Sequence, residues 1–124
     1  TGVEVTVGVV LGEDGRLLSG ESLADAVLTL GRYPVAAFCV NCSAPAVISN
    51  GIAELRKLTD LAVGGYANLG KIEGSVGWSA DESFTGERYA AGVDAWLDAG
   101  ARIVGGCCGT QPEHIAALRA RLDA

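Results

Sequence analysis

Basic residues are scarce in this chain. Nine Lys and Arg stand against fifteen Asp and Glu, for a net charge of −6, and the nine form no run. Aromatic residues make up only 6% of the sequence and are not interleaved with the basic ones. The electrostatic footprint of a nucleic-acid binder is therefore missing, and a small neutral or zwitterionic partner fits better. Long apolar runs are missing too: none approaches the roughly 18 residues that a bilayer-spanning helix needs. The opening "TGVEVTVGVV" has neither a basic flank nor a small-residue cleavage site, so no membrane is expected and the cytosol is the expected compartment. Histidine occurs once, as His114.

Hydrophobic residues, by contrast, make up 49% of the 124 positions, enough for one modest domain spanning residues 1–124 with its own core and no linker. Glycine is in excess, at 18 residues, roughly twice the usual share of about 7%. Many tight turns must separate the regular elements.

Periodicity divides the chain into four strand-helix units. "VEVTVGVVL" (3–11) reads as a β-branched strand, followed by a turn and a helix with Leu23, Ala26, Val27 and Leu30 at helical spacing, ending at Gly31. "PVAAFCV" (34–40) reads as a strand buried on both faces, before a helix with Ile48, Ile52, Leu55 and Leu58 on one side. "DLAVGGY" (60–66) is a third strand. The long stretch "ANLGKIEGSVGWSADESF" (67–84) reads as a loop, with Trp78 packed against it or serving a substrate lid, before a helix that turns Ala90, Val93, Trp96 and Leu97 inward. The fourth strand is "ARIVGG" (101–106). Thr110 and Glu113 have capping-box spacing, and Ile115, Leu118 and Leu122 supply the last helix with its stripe. The order βαβαβαβα predicts an α/β fold of four consecutive parallel βα units, either a small twisted sheet or a section of a barrel.

In parallel α/β folds the reactive groups gather where strands end. Cys42 follows the second strand, Asn68 the third, and Cys107 with Cys108 the fourth. Three thiolates on one rim, with no obvious fourth protein sulfur, suit a catalytic zinc ion that keeps one tetrahedral position open. Glycines 105, 106 and 109 free the backbone to turn adjacent sulfurs toward one ion. Other readings stand beside this one. Each cysteine is a candidate buried small hydrophobe, Cys107 and Cys108 are conceivable as a strained vicinal disulfide, and Gly105 with Gly106 before a helix start are a conceivable phosphate cradle. Cys39, inside the second strand, makes "CVNC" a coincidental C-x-x-C, His114 reads as exposed or helix-packed rather than a ligand, and Asn68 alone reads first as a turn residue.

Taken together, "VNC" after one strand and "GGCCGT-P-HI" after another resemble the homocysteine S-methyltransferase family. Supporting stretches are "GRLLSGESLADAV" and "AGARIVGGCC". The resemblance covers essentially the whole chain, but only the last four of the family's eight barrel units. It implies half of a (β/α)8 barrel with zinc on Cys42, Cys107 and Cys108, and a homocysteine thiol completing the coordination. It also implies a small methyl donor, namely S-methylmethionine, betaine, or a methylated folate or corrinoid. "YANLG" looks like the family's Y-P-N-x-G segment, which would place Asn68 near the zinc and the substrate, with Ala67 where the family has proline. The functions to weigh are therefore methyl transfer to homocysteine, a non-catalytic zinc-binding half-barrel that self-associates or pairs with a complementary half, and a phosphate-binding α/β domain.

Overall fold

A computed structural model describes residues 2–73 and 77–124. The elements run β1 (Val5–Val9), α1 (Leu23–Leu30), β2 (Val35–Asn41), α2 (Pro45–Leu58), β3 (Ala62–Ala67), β4 (Gly70–Glu73), β5 (Gly77–Ala80), α3 (Gly86–Asp98), β6 (Ile103–Gly106) and α4 (Pro112–Leu122). β1, β2, β3 and β6 form one parallel sheet in that order, as the alternation of strands and helices requires. The first strand is shorter than its β-branched run, because Leu11 leaves the sheet to bridge Leu17.

Register divides the sheet into two faces. Val9, Val40, Gly65 and Val104 lie in one row, and Gly8, Cys39, Gly64 and Ile103 in the row before it, which points the other way. The first face is covered by helices: Phe38, Val40 and Val63 bury against Ile48, Ile52 and Leu55 of α2, and Tyr89, Val93 and Trp96 of α3 join them. Gly65 lets α2 come close, since a Cβ there would stand 2.4 Å from Ile48 Cγ2. The inward stripes of α1, α2 and α3 fall where helical spacing puts them.

Two expectations are corrected. The stretch 67–84 is not a plain loop: β4 and β5 form an antiparallel hairpin, with residues 74–76 outside the described residues. Its strands have four residues each and carry glycines at 70 and 77, so neither builds an apolar alternation of its own. The capping box and stripe of α4 are also shifted. Gln111 is the N-cap, and His114 Nδ1 accepts the Gln111 N–H at 2.9 Å, while the Thr110 hydroxyl donates to the Cys107 carbonyl instead. Rotated in this way, α4 buries His114 and Leu118 and leaves Ile115 and Leu122 each 47% exposed. α3 and α4 meet closely at Gly86, where a Cβ would lie 2.8 Å from the Glu113 carbonyl oxygen.

Candidate metal centre

The end of β3 organises the mouth of the sheet. Tyr66 accepts the Cys42 N–H at 2.9 Å, and Ala67 accepts the Cys107 N–H at 3.0 Å. Asn68 N–H donates to the Ser43 carbonyl at 3.0 Å, and Leu69 N–H donates to that of Cys108 at 2.8 Å. Four consecutive residues thus tie down the loops from β2 and β6 that flank them. Ser43 anchors the same loop from below: buried, its hydroxyl accepts the Leu11 N–H and donates to the Asn41 carbonyl, each at 3.0 Å.

Continued pleating would send Cys42 to the helical face of the sheet. Instead it takes φ 52°, the one non-glycine residue with positive φ among those described. This left-handed turn costs an ordinary side chain roughly 1–2 kcal/mol and swings its sulfur toward the Cys107–Cys108 loop. Cys42 Sγ lies 3.6 Å from Cys108 Sγ, Cys107 Sγ lies 4.0 Å from Cys108 Sγ, and all three sulfurs fall within 4.8 Å of one another. A tetrahedral ion with metal–sulfur bonds of about 2.3 Å separates its sulfurs by about 3.8 Å, so the group fits one ion. All four cysteines are free thiols. Gly109, at φ 84°, completes the turn under the pair, where the Leu69 backbone crowds it.

Cys39 is not in the group. It is 1% exposed inside β2, where burial pushes its thiol pKa up. His114 is packed rather than ligating: Nδ1 is taken by the Gln111 N–H, so Nε2 carries the proton and donates to the Phe84 carbonyl at 2.6 Å. Asn68 Oδ1 accepts from Gly70 N–H at 2.8 Å and from Trp78 Nε1 at 3.2 Å. The asparagine therefore shapes a turn and also pins the hairpin through Trp78, whose ring lies directly over Gly70. Gly105 and Gly106 lie within β6 rather than at a helix start, and the space a Cβ at Gly106 would need is held by Thr110.

Two tyrosines lacked any local signal in the sequence. The Tyr66 hydroxyl reaches the opposite face of the sheet beside Gly8 and Asn41. Burial raises its pKa, and so does the negative charge of Cys39, Cys107 and Cys42. Tyr89, from α3, hydrogen-bonds to both β3 and β6 just below Cys107.

Fold and site together define a parallel α/β protein with a three-cysteine group at the carboxyl ends of its strands. A family model for homocysteine S-methyltransferase matches residues 1–122, and the chain belongs to that family. Homocysteine S-methyltransferase 1 of Zea mays is 38% identical over 109 residues, 85% of this chain and 34% of that protein. The homocysteine S-methyltransferase of Escherichia coli is 38% identical over 115 residues, 90% of this chain and 36% of that protein. The apo crystal structure of the Escherichia coli homocysteine methyltransferase MmuM superposes with a TM-score of 0.74 at 32% identity, over 96% of this chain and 40% of that one. Its metallated form gives the same TM-score and identity, over 36% of that chain. The chain thus spans about a third of the length of these curated relatives.

Proposed function

We propose that residues 1–124 act as one unit that bears the zinc centre of a homocysteine S-methyltransferase and serves methyl transfer to the homocysteine thiol, giving methionine. The observation that carries the reading is the three-sulfur group, all within 4.8 Å, on a chain of this family. Three soft thiolates with no carboxylate or imidazole among them favour Zn2+ over harder cations and leave one coordination position for a substrate sulfur. Cys42, Cys107 and Cys108 would hold the ion, which when bound presents a substrate thiol as thiolate at neutral pH, where a free thiol of pKa about 8.5 is mostly protonated.

The remaining work falls to the chain. Three cysteinates leave the centre at a formal charge of about −1, so the substrate sulfur keeps its electron density and needs no dedicated general base. Asn68, with Oδ1 committed to Gly70 and Trp78, offers its amide protons to the substrate. Trp78, held by the same oxygen and 49% exposed, gives the hairpin an aromatic surface at the mouth for a small methyl donor. Reduced thiolates of this kind suit the cytosol. No helix among the described residues is long and apolar enough to cross a membrane.

The test is zinc content and methionine formation after purification from zinc-supplemented medium. Homocysteine is supplied with S-methylmethionine, betaine, or a methylated folate or corrinoid in turn. Stoichiometric zinc that disappears in Cys107→Ser supports the centre, and protein free of zinc sinks it. A second reading, a non-catalytic half-barrel that self-associates or joins a complementary half, is favoured by the outer strands: in the described sheet β1 and β6 each have a partner on one side only. Sedimentation separates the two. A zinc-loaded oligomer that makes no methionine favours the second reading, and a monomer argues against it.

A further inference from the structure

The hydroxyl of Tyr89 sits within the β-sheet ladder. Where Ala67 pairs with Gly106 in parallel, two bonds are due: Cys107 N–H to the Ala67 carbonyl, and Ala67 N–H to the Gly105 carbonyl. The first is made, at 3.0 Å. The two groups of the second are also joined through a side chain. Ala67 N–H donates to the Tyr89 oxygen at 3.1 Å, and that hydroxyl donates to the Gly105 carbonyl at 2.6 Å. A side chain from the helical layer thus clamps the two strands at the level where β6 hands over to the cysteine pair.

The hydroxyl has little freedom to be elsewhere. Tyr89 is 2% exposed, and its ring meets Trp96 and His114 edge-on, at centroid separations of 5.9 and 5.8 Å. His114 is in turn fixed by Gln111 and Phe84. The chain of contacts runs from the start of α4, through an aromatic stack, to the backbone two residues before Cys107. One oxygen lone pair and the proton are oriented by named partners, which is how a supporting group holds a ligand loop to the tolerance of about 0.5 Å that such sites need.

We propose that Tyr89 is a positioning residue for the three-cysteine centre, its hydroxyl clamping the ends of β3 and β6 and so fixing the place from which Cys107 and Cys108 meet Cys42. The inference rests on the reading of those cysteines as metal ligands. Without the hydroxyl this clamp is lost, and the end of β6 shifts while Cys42, beyond β2, keeps its place.

The test compares the full chain with Tyr89→Phe and with Trp96→Phe, a control from the same aromatic stack that has no polar link to the sheet. Zinc affinity is read by chelator competition, and ligand geometry by the visible absorption of the Co2+-loaded protein. Tyr89→Phe is expected to bind zinc 10- to 100-fold more weakly, the usual effect of removing an outer-shell support, with a changed cobalt ligand-field band. Trp96→Phe keeps both, whatever its melting temperature, and para-aminophenylalanine in place of Tyr89, which can again donate and accept, restores them. Unchanged affinity and spectrum in Tyr89→Phe, or equal losses in both variants, overturn the positioning role and leave the metal centre standing. A wild-type protein without cobalt–thiolate bands overturns both. Should Tyr89→Phe fail to fold, 3,5-difluorotyrosine at the same position keeps ring and hydroxyl but donates more strongly. A shifted cobalt band then supports the proposal, and an unshifted one overturns it.

Discussion

Cys42 and Cys108 are 66 positions apart in the chain and 3.6 Å apart at their sulfurs. Their strands are not neighbours: β3 lies between β2 and β6, so the backbones start about 9.6 Å apart, two strand spacings. The gap closes because both loops lean over the end of β3, tied to Tyr66, Ala67 and Leu69. The contact is thus tertiary, and each of the three thiols should count equally toward it. Serine at 42, 107 or 108 should take bound zinc from stoichiometric to near zero by elemental analysis. Cys39→Ala should leave it unchanged, because that thiol is sealed inside β2. Zinc lost from the Cys39 variant in a folded protein would contradict the assignment.

The left-handed backbone at Cys42 makes a second, sharper expectation. Glycine is usually less stable than alanine by roughly 0.5–1 kcal/mol in regular structure, but at φ 52° the order should reverse, since only glycine lacks the Cβ that this conformation crowds. Cys42→Gly should therefore be more stable than Cys42→Ala by about 1 kcal/mol in metal-free urea unfolding, although neither variant binds metal. Alanine equal to or better than glycine would show that the turn is not strained. The comparison isolates the backbone, because both variants lose the sulfur.

What was legible in the sequence follows from how local each signal is. Strand ends were legible because β-branched runs stop at glycine or at a helix start, and that alone located Cys42, Asn68, Cys107 and Cys108 just beyond β2, β3 and β6. The hairpin was not, because strands of four residues interrupted by glycine have no period to read. The Thr110–Glu113 capping pattern misled because the Cys107 carbonyl takes the threonine hydroxyl, a contact decided by the turn around Gly109. Nothing beside Tyr89 in the chain indicates that its hydroxyl enters the sheet, since the groups it joins come from two other elements. Such long-range polar insertions become visible only once the strands are placed.

The packing of α4 on α3 includes an ion pair between Arg121 and Asp94, both at the surface. The hydrogen bond from Arg121, reinforced by its charge, holds the Asp94 carboxyl below its ordinary pKa. A depressed acid adds stability above its unfolded pKa and loses it as pH falls through the folded one. The contribution is therefore present at neutral pH and lost below the ordinary carboxylate range. Asp94→Asn should flatten the acid limb of a melting-temperature profile and leave the neutral-to-alkaline limb parallel to wild type. High salt should shrink the difference, as for any exposed pair. An acid limb identical in both proteins would mean that the pair adds nothing to folding.

Glycines 64 and 92 should respond oppositely to the same methyl group. At Gly64, in the middle of β3, a Cβ would stand 2.2 Å from the Ile103 carbonyl oxygen and 2.6 Å from its Cβ, both on the neighbouring strand. Neither backbone can yield without disturbing the β3–β6 register, which three rows later reaches Gly106, the residue before Cys107, so overpacking should cost about 1–3 kcal/mol. Gly92 lies on the exposed side of α3 with nothing within 4 Å of its Cβ position, and alanine there removes the helix penalty of glycine, a gain of about 0.8–1 kcal/mol. Urea unfolding of Gly64→Ala and Gly92→Ala should thus move the midpoint down and up respectively. Because the strain at Gly64 falls on the strand that ends in the ligand pair, its variant should also bind zinc more weakly, while Gly92→Ala binds as wild type does. A Gly64 variant that lost stability but kept full zinc affinity would show that the mouth of the sheet is held by the Tyr66–Leu69 segment alone and does not depend on the register below it.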